Sequence, residues 1–132
     1  MIFHNTINID SRENLEVQDI TENVSSLVRG SKIDEGLVNL LCRHTTAALT
    51  INENDDKLWE DLINKFTQLA AIGGEYNHKP NAHAHILSCI FKPDTTIPVE
   101  AGKLSLGRWQ RLLFLEFDGP RKRDIKVTII GV

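Results

Sequence analysis

Two histidines stand two residues apart in Asn81-Ala82-His83-Ala84-His85, just ahead of the apolar run Ile86-Leu87-Ser88-Cys89-Ile90. Read as the mouth of a strand, this spacing projects both rings from one face, because strand side chains alternate. Their Cα atoms would then lie roughly 6–7 Å apart at about 3.3 Å of rise per residue, close enough to converge on one ion or substrate. Imidazole serves as a zinc ligand and as a proton carrier near neutral pH. A third ring, His44, opens the polar trio His44-Thr45-Thr46 inside apolar sequence. Three readings follow for His44, His83 and His85. They hold zinc with a position open for water, they bind substrate or move protons without metal, or they are polar residues satisfied by carbonyls and water.

Hydroxyls and an imidazole interrupting an apolar run need partners, supplied either by a self-bonding turn or by a polar ligand. Glu53 follows closely and can reach the same pocket, although a carboxylate there also suits a helix start. Further on, Gln110, Glu116 and Asp118 share one strand parity while Trp109, Leu113, Leu115 and Phe117 share the other. The second set reads as a core face. The first offers two carboxylates at i and i+2, a geometry for Mg²⁺ or an acid/base pair, or simply a solvated face. Arg108, Arg111, Arg121, Lys122 and Arg123 form a basic end. They read as a solvated loop or, folded over the histidines, as a clamp for phosphate or carboxylate.

The elements that must position these residues follow from periodicity. Met1 to Asp10 alternates as an opening strand, and Leu15 and Val17 begin a second after the turn at Asp10-Ser11-Arg12. Asp19 or Thr21 is placed to cap a short helix carrying Val24, Leu27 and Val28, stopping near Gly30-Ser31. Leu37 through Cys42 and Ala47 to Ile51 read as one strand broken by the His44-Thr45-Thr46 bend. Asn54 is the expected cap of the main helix, with Asp55 and Asp56 at the positive end of its dipole. Leu58, Trp59, Leu62, Ile63, Phe66 and Leu69 make its apolar stripe, ending by Gly73-Gly74. The second half reads as strands: Ala84 to Phe91, Thr95 to Val99 at an edge because of Pro98, Trp109 to Phe117, and Ile125 to Ile130 pairing back after the turn Asp118-Gly119-Pro120-Arg121. Strands with two separated helices and no βαβ rhythm imply an α+β fold with a largely antiparallel sheet, in one domain spanning 1–132.

Composition narrows the function classes. Fifteen Lys plus Arg against 18 Asp plus Glu leave a net charge of −3, the wrong balance for a dedicated nucleic-acid binder. Cys42 and Cys89 are too few for a disulfide framework and read as buried free thiols in a reducing compartment. No run nears the roughly 18 apolar residues of a membrane span, and no leader is visible, so the expectation is a cytoplasmic protein away from the membrane. Phosphate-cradling glycine loops and a Gly-x-Ser-x-Gly elbow are both absent.

Four segments together carry a family resemblance: His44-Thr45-Thr46-Ala47-Ala48 with Ile51-Asn52-Glu53-Asn54; Asn81-Ala82-His83-Ala84-His85; Gly102-Lys103-Leu104-Ser105-Leu106-Gly107-Arg108-Trp109-Gln110; and Glu116-Phe117-Asp118-Gly119-Pro120-Arg121. In order and spacing the chain resembles the YjbQ-like family, small proteins associated with secondary thiamine-phosphate synthase activity. The resemblance implies a homotrimer with polar clefts at or near subunit contacts. It also implies that His44, Glu53, Asn81, His83, His85, Gln110 and Glu116 gather around one pocket, with Thr45, Thr46 and Arg121 on the substrate. Two departures stand out. Arg108 occupies a position where the family usually carries a small hydroxyl residue, and His78-Lys79-Pro80 replaces the usual His-x-Asp element.

The implied reaction joins a pyrimidine methyl pyrophosphate to a thiazole phosphate and releases pyrophosphate. Such chemistry calls for a leaving-group clamp, Mg²⁺ with basic residues, and Glu53, Glu116 and Arg121 are the candidates for parts of it. No acidic cluster suited to pyrophosphate-bound Mg²⁺ is evident, so the expected synthase activity is weak. The expectation is therefore a small trimeric enzyme acting on a phosphorylated or other anionic metabolite, with Zn or Mg as conceivable cofactor. A zinc hydrolase and a non-enzymatic metabolite-binding trimer are the alternatives.

Overall fold

Nine residues of alternating pattern open the chain as strand β1 (Ile2–Asp10), and Ile7 and Ile9 are its buried positions. In the computed structural model, which describes residues 1–132, the chain continues as β2 (Glu16–Asp19), α1 (Thr21–Ser31), β3 (Gly36–Cys42), β4 (Ala47–Asn52), α2 (Asp56–Leu69), α3 (Ala82–Ile90), β5 (Asp94–Glu100), β6 (Lys103–Leu104), β7 (Arg111–Glu116) and β8 (Lys122–Gly131). Two antiparallel sheets result, a five-stranded one in the order β1-β8-β3-β5-β6 and a three-stranded one in the order β2-β7-β4. The α+β class expected from the sequence holds.

Four local expectations are corrected. The interrupted apolar run is not one bent strand: β3 belongs to the large sheet and β4 to the small one, so His44-Thr45-Thr46 is the crossing between sheets. β8 does not pair back on β7 but lies between β1 and β3. The cap of α2 is Asp55, whose carboxylate accepts from the Leu58 amide at 3.0 Å, while the Asn54 amide donates to Asp19. The segment from Ala82 to Ile90 is a third helix rather than a strand. A short apolar run suits either form, and here it closes one side of the second core.

Two cores share the small sheet. The larger is enclosed by the inner face of the five-stranded sheet (Val38, Leu40, Ile125, Val127), by Val24 and Val28 of α1, and by Leu49, Leu112 and Phe114 of the small sheet. On the other side of the small sheet, Ala48, Leu115 and Phe117 pack against Phe66 of α2 and Ala84 and Leu87 of α3. Edge-on contacts of Phe66 with Phe91 and Phe117, at 5.0 and 5.7 Å between centroids, fill this second core. β7 is therefore buried on both faces, and neither parity is a solvated one. Only the larger-core parity, Leu112 and Phe114, ends in a charge: Glu116.

Candidate functional site

Glu116 is 1% exposed, yet none of its hydrogen-bonding capacity is wasted. Arg123 of β8 grips it with two parallel bonds, Nε to Oε1 at 2.9 Å and Nη2 to Oε2 at 2.5 Å. Ser11 donates its hydroxyl to Oε1 at 2.6 Å, and the Asp118 amide donates to Oε2 at 3.1 Å. Arg123 extends the network across the sheets by donating to the Thr46 hydroxyl at 2.8 Å. Charges removed from water survive only with such compensation. Glu116 thus fastens the two sheets together beneath the site, with both oxygens already engaged. Gly119 permits this packing, since a Cβ there would lie 2.1 Å from the Glu13 carbonyl oxygen and 2.9 Å from Glu116 Cγ.

Above this pair opens a cleft of about 340 Å³ without a hydrophobic side chain in its lining. One wall is the sheet crossing, Arg43, His44, Thr45 and Thr46; the other comprises Asn81, His85, Arg121 and Arg123. Asn81 precedes α3 and leaves that helix without a side-chain cap, because its amide instead donates to Asp118 at 2.9 Å. Arg121 binds the same carboxylate at 2.8 Å. Burial works against the charge of Asp118, but the Asn81 amide and the Arg121 guanidinium outweigh it and hold the carboxyl below its usual range. Arg43 rests on Asp124 at 3.2 Å.

His44 has its role defined by one bond. The Asp124 amide donates to Nε2 at 3.0 Å, so that nitrogen is an acceptor and the ring carries its proton on Nδ1. Although Nε2 is also 3.4 Å from Asp124 Oδ1, without a hydrogen there this contact is no ion pair. Asp124 is left to Arg43.

His83 and His85 do not share a face. Successive helical residues turn by about 100°, so positions i and i+2 point roughly opposite ways. His83 turns inward and is 3% exposed, with neither ring nitrogen hydrogen-bonded. His85 turns toward the cleft, edge-on to His78 at 4.9 Å. The three-histidine metal set expected from spacing is therefore not assembled, and no group of three His, Cys, Asp or Glu side chains converges as metal ligands anywhere in the chain. Within one chain these donors do not fit zinc.

Glu53 and Gln110 also stand apart. β4 and β7 are antiparallel with Ala47 opposite Glu116 and Asn52 opposite Arg111, which sends both residues to the far end of the small sheet. Five residues of strand separate Arg111 from Glu116, roughly 17 Å at about 3.3 Å each. Of the motif residues expected in one pocket, one chain brings together His44, Thr45, Thr46, Asn81, His85 and Arg121, with Glu116 beneath. Arg108 lies at the far end too, 5.0 Å over the Trp109 ring, so it alters neither the size nor the charge of this cleft. Arg43 and Asp124 escaped the sequence reading. The adjacency of Arg43 to His44 was the available signal for the first, while Asp124 meets both only through sheet pairing.

Cys42 and Cys89 also differ from the expectation of two buried thiols. Cys42 is buried and Cys89, on the outer side of α3, is exposed. Burial pushes the Cys42 thiol up to about 11. No helix is long and apolar enough to cross a membrane.

Comparison with known proteins agrees with this architecture. A UPF0047 protein of Archaeoglobus fulgidus is 40% identical over 127 residues, covering 94% of this chain and 98% of its own. The UPF0047 protein YugU of Bacillus subtilis is 34% identical over 129 residues, covering 96% and 98%. A YbjQ-like protein of unknown function from Sulfolobus solfataricus P2 superposes with a TM-score of 0.96 at 32% identity, covering 100% of this chain and 99% of its own. A hypothetical protein of Aeropyrum pernix K1 gives 0.96 at 35% identity, with 98% and 99% covered. With the family pattern matched from residue 5 to residue 132, the chain belongs to the UPF0047 protein YjbQ-like family.

Proposed function

We propose that this protein is a small enzyme whose His44–His85 cleft binds a phosphorylated or otherwise anionic metabolite. The observation that carries the reading is the cleft lining: guanidinium, imidazole, hydroxyl and amide groups, with no hydrophobic side chain. Arg43 and Arg121 are each about half exposed at its rim, where planar guanidinium groups suit bidentate binding of phosphate. Nδ1–H of His44 and the Thr45 hydroxyl are further donors. His85 is the proton carrier of the proposal, and His83, buried behind it, positions α3.

Thiamine-phosphate synthesis is the named candidate within this class, resting on the family resemblance, and a weak rate is the expectation. Working as a homotrimer belongs to the same proposal, since Glu53 and Gln110 can serve this cleft only from a neighbouring copy. Light scattering should then give three times the 14.9 kDa chain mass. A second reading, a metabolite-binding module without turnover, is favoured by one observation. The carboxylates bordering the cleft are all engaged, Glu116 by Arg123, Asp118 by Arg121 and Asp124 by Arg43, leaving none free as a general base.

The test is product formation from the pyrimidine methyl pyrophosphate and the thiazole phosphate, alongside calorimetric binding of each precursor. In the enzyme reading, Arg121→Ala weakens precursor binding about tenfold, and His85→Ala lowers the rate while binding is kept. Binding without any turnover selects the second reading. If both variants leave rate and affinity unchanged, the cleft is not the site.

A further inference from the structure

A cleft of about 580 Å³ lies elsewhere, between α1 and the segment from Ala101 to Arg111. Its lining includes four cations, Arg29, Lys103, Arg108 and Arg111, against one acidic side chain, Glu22. Arg111 is already answered by Asp19 at 2.7 Å and by Glu22 at 3.7 Å. Arg29, Lys103 and Arg108 have no acidic partner within ion-pair distance. In a chain of net charge −3, three uncompensated cations around one hollow are a concentrated positive field.

The walls are built to hold that field in place. Ala101 and Gly102 both adopt positive φ, 49° and 72°, the requirement of a two-residue hairpin turn joining β5 to β6. The turn is tied down from outside, by the Gly102 amide donating to the Asp34 carbonyl at 3.0 Å and the Ala101 amide donating to Glu35 Oε1 at 2.9 Å. Lys103 follows directly and inherits that rigidity. On the other wall, the Gly107 amide donates to Gln110 Oε1 at 2.8 Å, which closes the loop. Ser25 of α1 adds a hydroxyl, and Leu104 and Leu106 supply apolar surface beside the cations.

We propose that this cleft is a second binding site, for an organic ligand carrying a phosphate or pyrophosphate group. A monocarboxylate would answer one cation and leave two unmatched, whereas a phosphoryl group presents multiple charge and several acceptor oxygens to Arg29, Lys103 and Arg108. The neighbouring Leu104 and Leu106 receive the organic part. Within one chain the site is separate from the His44 cleft, which lies at the other end of the small sheet.

Amide NMR of the labelled full chain, titrated with inorganic pyrophosphate against sodium chloride of equal ionic strength, tests the proposal residue by residue. Saturable shifts are expected at Ser25, Gly102, Lys103, Gly107 and Arg108. The double variant Lys103→Ala/Arg108→Ala should weaken these about tenfold while keeping the wild-type unfolding midpoint, and Arg43→Ala/Arg121→Ala should leave them in place. Trp109 gives a second readout in a Trp59→Phe background: a ligand that draws Arg108 from the ring changes its emission. Shifts confined to Thr45, Thr46 and Asn81 would overturn this site while supporting the His44 cleft. Equal loss in both double variants would show a single site, and the absence of saturable shifts at Lys103 and Arg108 would end the proposal.

Discussion

Strand β7 ends in a charge at one terminus and begins with a charge at the other, and the two are treated in opposite ways. At the Glu116 end, acid and base are both withdrawn from water, with side chains 0% and 4% exposed. At the Arg111 end, the pair with Asp19 is 36% and 13% exposed, and unpaired cations surround it. Buried pairing yields a rigid base with no spare valence. Partial exposure yields a surface where charge is left over for something else. In the proposed readings, ligand is met by exposed groups such as Arg43, Arg121 and Lys103 rather than by the best-bonded residue, Glu116.

The comparison breaks most visibly under Glu116→Gln. That change leaves Arg123 buried with its charge uncompensated, and the expected loss is about 3–5 kcal/mol in urea unfolding. A loss under 1 kcal/mol would mean that this end is wetter than its geometry implies. At the far end Asp19→Asn should cost only about 1 kcal/mol at neutral pH, and less at high salt.

Acid sharpens the contrast further. Burial opposes the charge of Asp19, yet bonds from Arg111, Thr21 and Asn54 prevail and hold its carboxyl below the usual 3.8; Asp118 is likewise held low. A carboxyl depressed in the folded state stabilises fully above its unfolded value. That contribution disappears as pH falls through the lower folded value, so the loss should begin only below about pH 4. Asp19→Asn and Asp118→Asn should each flatten the acid limb of the stability curve. Unchanged slopes in both variants would contradict the pairing at both ends.

The smallest perturbation is thiol labelling. Cys42 lies near Arg123 and Glu116, and its thiol, pushed up to about 11, should resist iodoacetamide at pH 8, whereas exposed Cys89 should react. Modification of native Cys42 at the rate of Cys89 would show that water reaches the Glu116 end.

Much of this arrangement was legible in the residues. The stripe from Leu58 to Leu69 specified α2, because a 3.6-residue period over about three turns has one reading. The polar trio His44-Thr45-Thr46 marked a break, because hydroxyls inside apolar sequence need partners. The polar segments stand out in the residues, but the way their side chains face does not. Ala82 to Ile90 alternates at its start and is apolar afterwards, which suits a strand as well as a buried helix, and that single ambiguity reversed the geometry of His83 and His85. Glu116 read as a candidate acid because its neighbours alternate, whereas both faces of β7 are covered once two cores form around it.

Sequence alone determined the family, the α+β class and which segments carry polar chemistry, since these depend on residue order and local periodicity. Tertiary structure decided which of those residues meet. Glu116 and Arg123 are seven positions apart but sit in different sheets, and Thr46 reaches them only because the chain crosses between sheets at that point. Glu53 and Gln110 were sent to the opposite end by antiparallel register. Contacts of this kind arise when long-range pairing closes a core, and no short window of sequence contains the partners whose burial drives it.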